Sequence, residues 1–133
     1  MRIIYKTSIG LSVVYPTGEL SIDEVAAKDV PAGVSFHIVE DSEIPSDVTF
    51  RNAWELSPEN TIQINFTAAQ HITKDRLRLE RGPLMAAQDV LFMRAQEAGE
   101  NTGAIVNEKR RLRDITKLAD TCTTLDQLSA LKC

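Results

Sequence analysis

The hydrophobic period of this chain changes at Phe66, and that change limits its possible folds more than any other feature. Before it, apolar residues come in short β-branched or alternating runs bounded by Pro, Gly, Ser and Asp; after it, they recur at spacings of three, four and seven over long stretches. Alternation suits strands, and recurrence near 3.6 suits helices. Strands followed by helices, instead of strands and helices in alternation, give the α+β class. The expected arrangement is a small, mostly antiparallel sheet with one short helix (residues 1–66), followed by an antiparallel α-helical hairpin and a terminal helix (67–133). Charge shifts at the same point. Residues 1–66 hold four basic and ten acidic residues, a net of −6, and residues 67–133 hold eleven and nine, a net of +2.

In the first half, Arg2–Lys6 and Leu11–Tyr15 flank a short connector containing Gly10 and read as a β-hairpin. Ser21 with Glu24 three residues on is a capping box, and Leu20 with Val25 fits the staple across it, so a helix is expected over 22–29. Pro31 and Gly33 end it. Val34–Val39 alternates and predicts a strand with Val34, Phe36 and Ile38 on one face. Thr49–Trp54 predicts a short extended segment with Phe50 and Trp54 on one side, and Thr61–Phe66 a strand with Ile62, Ile64 and Phe66 on one side.

In the second half, Thr67 and Gln70 have capping-box spacing and open a helix that runs to about Ala98. Ile72, Leu79, Ala86, Val90 and Met93 form one apolar row, and Leu77, Leu84 and Leu91 a second beside it, together a broad stripe. Gly82-Pro83 predicts a kink or a break in its middle. Gly99 and Gly103 bound a turn, and a second helix is expected over 104–119 on Ile105, Leu112, Ile115 and Ala119. Thr124 and Gln127 have capping-box spacing and start a terminal helix with Leu125, Leu128 and Leu131 as its apolar positions.

The residues assemble no reactive set. His37 and His71 have no Cys or carboxylate cluster at metal-ligand spacing beside them, where a zinc site needs three or four ligands. Neither a nucleophile elbow nor a phosphate-binding Gly pattern occurs. Glu40-Asp41-Ser42-Glu43 lacks the central Gly of a calcium loop and reads as a solvated acidic loop. The chain is therefore expected to be non-enzymatic, with no metal and no cofactor. With two cysteines, Cys122 and Cys133, no disulfide framework is expected; both read as reduced thiols, and Cys133 is expected to be accessible. No apolar run reaches membrane-spanning length, and Lys6 interrupts the apolar start, so neither a membrane span nor a signal peptide is expected.

Binding is the remaining class of function. Arg51 and Trp54 are residue types that anchor interfaces, and Phe50 shares their segment. Aromatics are only 5% of the chain, however, which favours using Phe50 and Trp54 in the core. Lys74, Arg78 and Arg81 share one helix face, and Lys109, Arg110, Arg111 and Arg113 cluster on the next helix. Interspersed acids and a net charge of −4 favour a mixed, solvated face over a nucleic-acid surface. An acidic protein, such as the first half of another copy, is a third reading of the same face. Arg78, Leu84 and Leu91 complete the expected partner-binding set, because the helical stripe is broad for one hairpin to cover; a homo-oligomer would cover it equally well.

The stretches IIYKT, VPAG and FHIVEDSEIPSDVTFRNAWE, followed by INFTAAQHITKDRLRLERGPLMAAQDVLFMRAQEAGE, resemble small proteins of tailed bacteriophages and prophages. The segment from Asp41 to Trp54 and the helix from Thr67 to Gly99 carry most of the likeness. The end, KRRLRDIT with TTLDQLSALK, is similar to the helical ends of phage tail-fibre assembly proteins. The resemblance implies a β-rich module joined to a helical hairpin and a gene beside tail or tail-fibre genes. It also implies a protein that binds other tail components, in the virion or in the host cytoplasm during assembly. It carries over no catalytic residue. The alternatives are a nucleic-acid-binding packaging or regulatory factor, expected to converge Arg78, Arg81, Arg110 and Arg113 on one surface, and a small envelope-acting enzyme, expected to have a cleft with a strongly shifted carboxylate.

Overall fold

Ile3 and Ile4 are adjacent, both are fully buried, and a strand sends adjacent side chains to opposite faces, so the sheet that holds them needs cover on both sides. The computed structural model describes residues 1–133 and has the mixed α+β class. The chain divides into two units, Met1–Ala68 and Ala69–Cys133, where the sequence pattern places the change after Phe66.

In the first unit, β1 (Arg2–Thr7) pairs antiparallel with β2 (Gly10–Val14) and with β3 (Phe36–Val39), in the order β2-β1-β3. Helix α1 (Ile22–Asp29) packs Val25 and Ala26, with Val30 beyond its end, against Ile3. Ser21 Oγ accepts from Glu24 N–H and Glu24 accepts from Ser21 N–H, the reciprocal cap read from the sequence. The staple is loose on its outer side, since Leu20 stays exposed. On the opposite face, Ile4, Leu11 and Val39 meet Trp54 and a two-stranded sheet, β4 (Trp54–Leu56) with β5 (Ile62–Ile64). Two burials of this kind, Ile3 and Ile4, each contribute about 1.5–3 kcal/mol.

Two first-unit expectations are corrected. Thr49–Trp54 is not extended: residues Arg51–Ala53 form a 3-10 turn, closed by Ala53 N–H on Phe50 O at 2.9 Å, and this turn rather than a pleat buries both Phe50 and Trp54. The last strand stops at Ile64, and Phe66 is already helical, because Asn65 Oδ1 accepts from Ala68 N–H at 3.0 Å. Asn65 is thus the cap, in place of Thr67.

Helix α2 (Phe66–Glu97) continues through Gly82-Pro83 without a break. Pro83 is exposed, so the carbonyl it deprives of a donor has water available. The helix ends in a Schellman motif: Gly99 adopts φ +71°, Gly99 N–H donates to Gln96 O, and Glu100 N–H donates to Ala95 O at 2.8 Å. α3 (Gly103–Asp114) then stops short of the expected Ala119, and α4 (Lys117–Thr121) follows. Ile115 and Thr116 keep helical angles, but Leu118 and Ala119 donate three residues back, to Ile115 and Thr116. This tightening frees carbonyls upstream, and Arg81 Nη1 donates to those of Leu112 (3.4 Å) and Arg113 (2.9 Å). α5 (Leu125–Ala130) is capped by Thr124 and buries Leu128.

Candidate functional site

A buried seam on α2 decides which of its side chains remain free. Ala69, Thr73, Leu77 and Ala95 are buried and Arg81, Met85, Gln88 and Phe92 half-buried, so the inward row steps by three or four residues along one face. Thr73 joins it without an orphaned hydroxyl, since its Oγ1 donates to Ala69 O at 2.9 Å. Of the first apolar row, Ile72 is half-buried, whereas Leu79, Ala86, Val90 and Met93 lie outside; Leu79 is 80% exposed. The second row splits. Leu77 is fully buried, whereas Leu84 and Leu91 are 44% and 45% exposed. A straight helix turns about 20° away from a seven-residue repeat with each heptad. Leu84 and Leu91 therefore flank the seam instead of filling it.

The end of the chain secures the seam at Leu77. Arg76 donates to the carbonyls of Leu128 (3.2 Å) and Leu131 (2.7 Å) and pairs with Glu80 at 2.7 Å. Glu80 also accepts from Cys133 N–H at 3.3 Å, Arg111 donates to Cys133 O at 3.0 Å, and Cys133 Sγ donates to Leu77 O at 3.4 Å. Both cysteines are free thiols. Cys133 is half-buried, against the expected accessibility, and burial together with the nearby Glu80 carboxylate raises its pKa, which keeps the thiol protonated.

The Arg76 hydrogen bond, aided by that from Cys133 N–H, holds Glu80 below the usual glutamate range. A depressed carboxylate stabilises the fold above its unfolded-state pKa, and the contribution is lost as pH falls through the folded-state value. Acidification below the ordinary glutamate range is therefore expected to loosen residues 131–133. In a Cys122→Ser background, Cys133 should react faster with an acid-active disulfide reagent as pH drops through that window. Glu80→Gln should show the faster reaction already at neutral pH; equal rates in both proteins would remove Glu80 from this role.

A groove of about 540 Å³ runs along the other flank of the hairpin. Arg78 and Arg81 stand on its α2 wall, and Lys109 and Arg113 on its α3 wall; Gly82, Met85 and Ala86 are apolar lining, and Asp89 is its one carboxylate. Lys109 is held by Asp89 at 2.7 Å and lies over the Phe92 ring at 5.1 Å. Arg78 pairs with Asp75 at 2.6 Å. Arg113 has no ion pair, and Arg110 does not line the groove. Three of the four arginines singled out in the sequence thus converge. Gly in a helix interior is less favourable than Ala by about 0.8–1 kcal/mol, yet a Cβ on Gly82 would meet nothing within 4 Å. Packing does not require glycine there.

Of the remaining candidates, Phe50 (4% exposed) and Trp54 (2%) belong to the core, which removes them from the surface available for docking in this conformation. Arg51 stacks on the Trp54 ring at 4.6 Å and lines a cleft of about 390 Å³ with Thr7, Asn52 and the β1–β2 turn. A second cleft, about 420 Å³, is lined by Lys6, His37 and Ser57 among others. Ser57 Oγ there bonds to Thr61 Oγ1 at 2.8 Å and accepts from two backbone N–H groups, so it organises the β4–β5 turn. No group of three His, Cys, Asp or Glu side chains is placed to hold a metal ion, and no helix is long and apolar enough to cross a membrane. Compared with known proteins, the chain matches no family model, no curated protein and no solved structure.

Proposed function

We propose that this chain is a non-catalytic bacteriophage tail-associated structural or assembly protein that binds a tail or tail-fibre component through its helical hairpin. The observation that carries the reading is the uncovered apolar flank of α2, Leu84 and Leu91, continuing from the point where the chain's end covers Leu77. Exposed apolar side chains arranged along a rigid helix are what a helix-to-groove contact uses. The partner class comes from the resemblance of the sequence to tail-module proteins.

Mass spectrometry of purified virions, together with co-purification of the neighbouring tail and tail-fibre gene products, tests this. A fixed copy number in the virion marks a structural component; absence from the virion with stable co-purification marks an assembly factor; absence of both overturns the proposal. Leu84→Glu combined with Leu91→Glu should keep the helical content, because both side chains are already partly in water. The pair should weaken the complex at least about tenfold, equivalent to about 1.4 kcal/mol.

A further inference from the structure

We propose that the cationic groove between α2 and α3 receives the acidic loop Glu40–Val48 of a second copy of this chain, giving self-association. This does not rest on the tail-protein reading, because it requires nothing but the purified chain. The groove offers Arg113 without an ion pair and Arg78 held only by an exposed i−3 partner, so its positive charge is directed outward. Its floor is apolar, and at Gly82 the helix backbone lies open where an incoming main chain would approach.

The loop matches both properties. Glu40, Glu43 and Asp47 are exposed carboxylates without an ion pair, Asp41 among them is held by the Met1 amino group (2.9 Å) and Arg2 (3.2 Å), and Val48 beside them is 64% exposed. Thr49 holds Asp47 below the ordinary aspartate range through its hydroxyl and its N–H, keeping it ionised. Carboxylates meeting Arg78 and Arg113, with Val48 on the Gly82–Met85–Ala86 floor, pair charge with charge and apolar with apolar. A nucleic-acid backbone fits less well. Phosphates and sugars would leave the apolar Gly82–Met85–Ala86 floor without an apolar partner, whereas the loop brings Val48 to it, and Arg110, which a wider cationic surface would recruit, lies elsewhere. The groove and the loop are different surfaces, so each copy carries both halves of the contact.

Sedimentation of the purified protein over a concentration series tests the proposal. Association should weaken about tenfold or more between about 0.1 M and 1 M salt, as the screening length falls from about 10 Å to about 3 Å. Arg78→Glu with Arg113→Glu should be monomeric, and so should Glu40→Lys with Glu43→Lys, each with native circular dichroism. Mixing the two variants should restore association, because the reversed loop then meets the reversed groove. Gly82→Leu, which changes shape without charge, should also dissociate the assembly. A monomer at all concentrations overturns the proposal, as does association that the groove variant leaves intact, or failure of the mixture to associate. Anisotropy of a labelled single-stranded DNA is the last arm: tight binding abolished by Arg113→Glu, without self-association, would assign the groove to nucleic acid instead.

Discussion

Leu77→Ala is expected to lower the stability of the hairpin unit by about 2–5 kcal/mol, the range for deleting a fully buried leucine side chain. Leu77 is fully buried on the α2 seam, and the chain's end is fixed over its turn by Cys133 and Arg76, which donate to carbonyls on either side. That fixation limits collapse into the cavity, which places the effect toward the upper part of the range. Such a loss is a large fraction of the roughly 5–15 kcal/mol that holds a typical domain together. Urea unfolding followed by far-ultraviolet ellipticity should show a lower midpoint at an unchanged slope. Leu79→Ala is the control: two residues away and 80% exposed, it should change stability by no more than about 0.5 kcal/mol. Equal effects of the two substitutions would mean that the inward face of α2 is wrongly placed.

The contrast between these leucines also marks what the sequence could and could not convey. Caps and turns were legible where the chemistry is local. Ser21 and Glu24 satisfy each other within one turn, and Gly99 supplies a left-handed residue that any other side chain would adopt less readily. The inward face of α2 was not legible, because its seam contains Thr73, Arg81 and Gln88, which a hydrophobic pattern excludes. Thr73 is satisfied by its own helix, and Arg81 by carbonyls thirty-one and thirty-two residues away. No periodicity in α2 announces those acceptors. The same distance hid the groove: Arg78 and Arg81 share a face by spacing alone, but their meeting with Lys109 and Arg113 depends on the hairpin, and only the structure separates Arg110 from the set. Asn65 was hidden by a stronger-looking signal two residues later. Thr67 and Gln70 have the right spacing, yet Asn65 is already fixed by its amide donating to Glu55 of the paired strand at 3.2 Å, so its oxygen is aimed at Ala68 before Thr67 can act.

Trp54→Ala should be the most damaging single substitution in the first unit, about 3–5 kcal/mol. Trp54 closes the face of the sheet formed by Ile4, Leu11 and Val39, and its removal would open that face to water. Its Nε1 is buried with no acceptor, a group whose desolvation costs about 1–3 kcal/mol. Trp54→Phe removes that donor along with part of the ring, so it should lose much less than the difference in size implies. Arg51→Ala takes away a stacking cation and should cost about 0.5–1 kcal/mol. Hydrogen exchange of the Ile3 and Ile4 amides reads the order directly, since β1 lies between the two layers and opens only when the unit does. The expected order of loss is Trp54→Ala, well ahead of Trp54→Phe and Arg51→Ala. An interface anchor would give the opposite result: Trp54→Ala would leave exchange at β1 unchanged and weaken only binding. The 2% exposure of Trp54 decides for the core.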